Sequence, residues 1–112
     1  MTNIRSHIYR VDKFVVPASS RDEFLARARD VKDFLKCQEG FVRSTYLEQF
    51  AGPGQFNLVT IVEWKSEAHV EQVKEAKQAK DALAVQEGGE TREQFYRRLG
   101  IKADLGFFRE CM

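Results

Sequence analysis

Cysteine, proline and charge of one sign are all scarce in this chain. Cys37 and Cys111 are the only thiols, and neither belongs to a Cys-x-x-Cys or Cys-x-x-His spacing, so neither a metal site nor a disulfide framework is expected. The 18 Lys+Arg stand against 17 Asp+Glu, a formal charge of +1, which leaves no net field to gather nucleic acid or anionic lipid. No apolar run approaches the roughly 20 residues of a membrane span, and the opening MTNIRSHIYR lacks the apolar centre of a signal peptide. A cytoplasmic protein without nucleic-acid or membrane partners is therefore expected. Phosphate-binding glycine motifs are missing too, since Gly52-Pro-Gly54 reads as a turn. With only two prolines, 43% hydrophobic and 31% charged residues in 112 positions, the chain reads as one globular domain. What it has in quantity is aromatic residues: nine Phe, three Tyr and one Trp, or 12%. That is enough to line a core and a second apolar surface.

Alternation from His7 to Val16 reads as a strand, ended by Pro17. Ser20-Arg-Asp-Glu23 has the spacing of a capping box, and a helix from about Arg21 to Cys37 follows, with Phe24, Ala28, Val31 and Leu35 on one stripe. Phe41–Phe50 and Phe56–Trp64 read as a hairpin around Ala51–Gln55. Phe56, Leu58, Thr60, Val62 and Trp64 share one face of the second of these strands. Ser66 is placed to cap a helix starting at Glu67 and ending before Gly88-Gly89, its Glu/Lys run a solvated face. Thr91-Arg-Glu-Gln94 is a second capping box, for a short helix closing at Gly100. The second half of Ala103–Cys111 reads as a last strand. Strand, helix, strand, repeated twice, predicts an α+β ferredoxin-like split βαβ fold: a four-stranded antiparallel sheet with helices on one face, and an extra short helix before the last strand.

Helices on one face should leave the other wet and the strands cleanly alternating. Instead Val59 and Ile61 oppose Leu58 and Val62, and Phe14 and Val16 oppose Val11 and Val15. Both faces read as buried, and a homodimer pairing two sheets is the simplest way to cover the second. The same plan hosts RNA-binding modules, but those need exposed sheet aromatics among basic residues, where this third strand has Val59, Ile61 and Glu63.

Three elements together, the strand Tyr9–Val16, Glu39-Gly-Phe41 and the run from Asn57 through Glu63-Trp-Lys-Ser-Glu-Ala68, resemble the antibiotic biosynthesis monooxygenase (ABM) family over about residues 8 to 85. The resemblance implies a dimeric α+β barrel and small-molecule oxygenation. Some members oxidise polycyclic aromatics or quinols with O2 and no metal or flavin; another branch degrades haem. As the resemblance would place it, the haem branch carries an Asn on the first strand, a Trp in the second helix and a His about ten residues on. This chain has no Asn in Tyr9–Val16 and carries Val73 and Leu83 near the other two positions, which disfavours haem degradation.

Oxygenation without a cofactor requires a base, an oxyanion stabiliser and a dry aromatic pocket. His69 is a base of suitable intrinsic pKa, or else a structural first-turn histidine. Arg43 is the candidate for the oxyanion, or a surface arginine at a strand start. Trp64 would stack on a small aromatic molecule, or serve the core. Asn57 and Tyr46 would orient substrate oxygens, although strand parity puts both opposite Trp64. Tyr9 and Tyr96 could reach a pocket too, but read first as core aromatics. The expectation is a cofactor-independent monooxygenase of a phenolic, quinol or polycyclic aromatic substrate, against a non-catalytic ligand-binding dimer on the same fold.

Overall fold

The computed structural model describes residues 6–112; the first five residues of the opening segment lie outside that range. Seven elements follow one another: β1 (Ile8–Val15), α1 (Arg21–Leu35), β2 (Phe41–Glu48), β3 (Leu58–Trp64), α2 (Glu67–Gln86), α3 (Arg92–Leu99) and β4 (Lys102–Phe108). The strands form one antiparallel sheet in the order β2-β3-β1-β4, the α+β ferredoxin-like arrangement expected of two strand-helix-strand halves. Strand and helix ends differ from the sequence reading by a few residues, with β4 starting as early as Lys102.

Two capping sites form as expected. Ser66 accepts from the His69 amide, and Thr91 and Gln94 make the reciprocal box that starts α3; Gly100, at φ 71°, closes that helix in the left-handed conformation glycine tolerates. The box expected at Ser20 and Glu23 does not form. The buried Ser20 hydroxyl donates instead to the Leu99 carbonyl at 2.7 Å, an orphan acceptor at the end of α3. Glu23 meanwhile pairs with Arg98 of α3 at 2.5 Å. Both capping residues are thus used to fasten α3 onto α1, and a short 3-10 turn, Ala18–Ser20, starts α1 in their place.

Asn57 has a comparable fate. Its side chain accepts from the Val16 amide and donates to the Val16 carbonyl, each at 2.8 Å, while its own amide donates to Phe14. The carboxamide therefore extends the β1–β3 ladder past the strand ends.

One face of the sheet is covered by the helices, and there the core falls into two clusters. Phe14, Val16, Phe24 and Leu58 pack with Phe95, Leu99 and Ile101 of the α3 segment; Ile8, Val62 and Trp64 pack with Val70 and Val73 of α2. The clusters do not merge, because the inward positions of β1 between Ile8 and Phe14 are Arg10 and Asp12. The other face carries Tyr9, Val11, Val59, Ile61, Leu47 and Phe108, none of them fully buried.

Register on β2 is set by a bulge between Phe41 and Arg43. Phe41 pairs with Trp64, but beyond the bulge Ser44, Tyr46 and Glu48 pair with Val62, Thr60 and Leu58. The extra residue shifts the parity by one, so Tyr46 shares the face of Trp64. The sequence reading, which assumed an unbroken strand, had it on the opposite face.

Replacing Asn57 with Ala strands the amide and carbonyl of Val16, a residue only 3% exposed. We expect a loss of about 1–3 kcal/mol, read as a lower urea midpoint at unchanged m-value. An unchanged midpoint would show the clamp to be dispensable.

Candidate active site

The gap between the two core clusters is a cavity of about 790 Å³ between sheet and helices, within the size range of small-molecule sites. Strand register orders its floor. Tyr46, Thr60 and Asp12 lie side by side on β2, β3 and β1, and Ser44, Val62, Arg10 and Phe107 form the next row. Phe14 and Phe24 close one end, and Trp64 and Leu35 the other. Arg27, Ala28 and Val31 of α1, Val73 and Lys77 of α2, and Phe95 and Tyr96 of α3 complete the walls.

The polar centre of this apolar space is an ion pair. Arg10 Nε donates to Asp12 Oδ1 at 2.5 Å, with the two side chains 25% and 20% exposed. Position i and i+2 on a strand point the same way, so β1 itself presents the pair to the cavity. The Arg10 guanidinium also lies 4.9 Å from the centre of the Phe107 ring, a cation–π contact that helps hold it in place. Burial pushes the Asp12 carboxyl above its ordinary value, against the opposing hydrogen bond and charge of Arg10 and the charge of Arg92. Burial likewise raises Tyr46 and Tyr96, so both phenols remain hydrogen-bond donors at neutral pH.

The residues singled out from sequence are dispersed. Trp64 and Tyr46 line the cavity, Trp64 at 2% exposure and edge-to-face with Phe41 at 5.8 Å. His69 lies outside it. Its ring packs against the backbone of Gly40, where a Cβ would come within 2.2 Å of the imidazole, and its Nδ1 accepts from Ser66 Oγ at 2.7 Å. Its position in the first turn of α2 aims it at the turn before β2, the structural alternative of the sequence reading. Arg43 is on the other face of the sheet, its side chain 74% exposed, and the anion it meets is Glu63, 2.9 Å away. His7 Nδ1 donates to the same carboxylate at 2.6 Å. Burial raises Glu63, but these two partners outweigh it and hold the carboxyl below its usual range. Asn57 is fully engaged with Val16.

The groups the sequence reading passed over are Arg10, Asp12 and Thr60, with Arg27 and Arg92 on the helices. A signal existed: Arg10 and Asp12 share their parity with Ile8 and Phe14, so a buried face carried two charges in succession. Among the described residues no cluster of three His, Cys, Asp or Glu is placed to hold a metal ion, and the cavity wall contains no imidazole or thiol.

No protein-family model matches the chain, and no curated protein is matched by its sequence. Solved structures match nearly end to end. A candidate monooxygenase from Shewanella loihica PV-4 superposes with TM-score 0.69 at 17% identity, over 98% of this chain and 99% of that one. SnoaB, a cofactor-independent oxygenase from Streptomyces nogalater, gives 0.64 at 23% identity, over 96% and 95%. The heme-degrader MhuD from Mycobacterium tuberculosis, solved with two hemes in its active site, gives 0.61 at 16% identity, over 94% and 96%. The chain has the ferredoxin-like fold of these proteins.

The Asp12 environment has a consequence for stability. Its folded carboxyl binds a proton more tightly than the unfolded one, so stability falls as pH rises from about 3.8 to the raised value and is level on either side. Asp12→Asn has no such group. In thermal melts the wild type is expected to gain on Asp12→Asn as pH is lowered through that window. A pH-independent difference between the two proteins would contradict the raised value.

Proposed function

We propose that the protein is a cofactor-independent monooxygenase that oxidises a phenolic, quinol or polycyclic aromatic substrate in the cavity between sheet and helices. The observation that carries this reading is the Arg10–Asp12 pair on the sheet floor of that cavity, among the aromatic side chains of Phe14, Tyr46, Tyr96 and Phe107. In the proposed reaction Asp12, in its ionised form, takes the proton of the substrate hydroxyl, and Arg10 faces the oxyanion that results. This assignment moves the base from His69 to Asp12 and the oxyanion partner from Arg43 to Arg10.

An electron-rich enolate or phenolate gives an electron to O2, and recombination forms a carbon–oxygen bond and a peroxide. For a substrate reacting at a CH2 carbon, loss of the second C–H proton with cleavage of the O–O bond leaves a carbonyl. One oxygen atom stays in the product and the other leaves as water, the four electrons coming from the substrate. Tyr46 and Thr60, in register with Asp12, supply hydroxyls for orienting the substrate oxygen, and Trp64 supplies an aromatic wall.

We also propose that a second copy covers the other face of the sheet, as the expected homodimer. Leu47 and Phe108 are 49% and 52% exposed there in a single chain, beside the apolar Val11, Val59 and Ile61, a patch that favours association.

Oxygen uptake by the metal-stripped protein on a panel of hydroquinones, anthrones and flavonols tests the chemistry. Uptake is expected to fall roughly 10²–10⁴-fold in Asp12→Asn and to persist in His69→Ala. It is also expected to rise with pH through the raised Asp12 value, a limb absent from the variant. Loss of uptake in His69→Ala with Asp12→Asn unaffected would return the base to His69, and ligand binding without uptake would favour a binding protein.

Light scattering tests the assembly. At micromolar concentration the wild type is expected at twice the 13.0 kDa chain mass, and Ile61→Lys at the monomer mass. A monomeric wild type would remove the proposed pairing.

A further inference from the structure

The cavity wall is cationic although the chain is almost neutral. It includes Arg10, Arg27, Lys74, Lys77 and Arg92 against Asp12, Asp81 and Glu93. Two of those carboxylates are already neutralised, Asp12 by Arg10 and Asp81 by Lys77 at 2.6 Å. Lys74 reaches the surface residue Glu71 at 3.3 Å. Arg27 of α1 and Arg92 of α3 have no carboxylate within ion-pairing distance among the described residues, and the remaining wall carboxylate, Glu93, is exposed and neighbours Arg92 in sequence.

Arg27 is the more telling of the two. It is half-buried, and its guanidinium lies 5.3 Å from the centre of the Phe95 ring, so it is held against the wall and not extended into solvent. A half-withdrawn guanidinium without an ion-paired carboxylate, with only the charge of Glu90 at longer range, is suited to an anion that a ligand supplies. Arg92 lies one turn before Phe95 and Tyr96 on α3, and Arg27 reaches the Phe95 ring from α1, so both guanidiniums belong to the α3 side of the cavity wall. From Asp12, on the floor, to the exposed Arg92, the space leads from a group suited to a hydroxyl toward groups suited to an anion.

We infer that the ligand of this cavity is an aromatic carboxylate, its hydroxylated ring lying over Asp12 and its carboxylate held by Arg27 and Arg92 between α1 and α3. The inference rests on the oxygenase reading for the identity of the cavity as the site, and adds the chemical class of what enters it. A neutral quinol fills the same space but leaves both guanidiniums unpaired. A carboxylate accepts from them through charge-assisted hydrogen bonds.

The test uses the full chain and two probes of one shape, 6-hydroxy-2-naphthoate and its methyl ester, whose hydroxyl and carboxyl groups are at opposite ends of the ring system, titrated calorimetrically and by the fluorescence of Trp64, the single tryptophan, which lines the cavity. The acid is expected to bind roughly tenfold or more tightly than the ester, with the preference shrinking as salt is raised. Arg27→Gln with Arg92→Gln is expected to abolish the preference and leave ester affinity unchanged. Arg92→Gln alone, at an exposed position, reports the same loss in part should the double variant fail to fold. Equal binding of acid and ester, or a preference that survives these substitutions, would overturn the anion site and leave the cavity reading intact. Failure of both probes to bind or to perturb Trp64 at millimolar concentration would overturn the cavity reading and the inference with it.

Discussion

Arg10 and Asp12 sit on the inward parity of an interior strand, where a two-layer fold of this size would ordinarily place two more apolar side chains. Their mutual hydrogen bond offsets part of the cost of withdrawing both charges from water, but neither can be packed over by leucine or phenylalanine without losing what solvation remains. The core therefore closes on either side of them and not across them. The cavity between the sheet and its helices is the direct result: its floor is the polar row running from Tyr46 through Thr60 to Asp12, and its ends are the two hydrophobic clusters.

Holding such a space open requires that the elements around it be fixed by something other than a continuous core. The fold does this with polar clasps at its periphery. Ser20 binds the last carbonyl region of α3, Arg98 joins α3 to Glu23 and to Glu90, and the Asn57 carboxamide binds both polar groups of Val16. Each buried clasp leaves a backbone group unsatisfied if removed, so its worth exceeds that of an exposed ion pair. The rim of the cavity is organised by hydrogen bonds, and its interior is left to whatever enters.

The architecture was legible in the sequence because periodicity, turns and caps agreed with one another. Thr91-Arg-Glu-Gln94 formed the box its spacing implied, and the alternation of β3 grouped Thr60, Val62 and Trp64 on one face, which the structure turns toward the helices. The site was less legible because several polar residues had two partners to choose from. Ser20 has the spacing of a cap, but a carbonyl seventy-nine residues away competes for its hydroxyl, and no local pattern records that. His69 lies on the apolar stripe of its helix, yet the turn at Gly40 reaches it first. Tyr46 was displaced to the wrong face by a single unrecognised bulge residue. Arg10 and Asp12 are visible in the sequence as charges at buried parity, but the apolar residues at both parities of β1 mask them.

The bulge on β2 has a further implication for how this chain tolerates change in length. The bulge supplies one residue more on β2 than β3 has to pair with it. A descendant sequence that lost Val42 would pair Phe41 and Arg43 with Trp64 and Glu63 as consecutive residues, and Ser44 and Tyr46 would still face the cavity. Loss of Thr45, past the bulge, would instead carry Tyr46 to the outer face unless the bulge were given up to absorb it. Insertions between Gln49 and Asn57, where Phe50 is wholly exposed, carry no such penalty. The spare residue of β2 is thus a reserve of length: one deletion in the strand can be absorbed with the cavity face intact, and a second cannot.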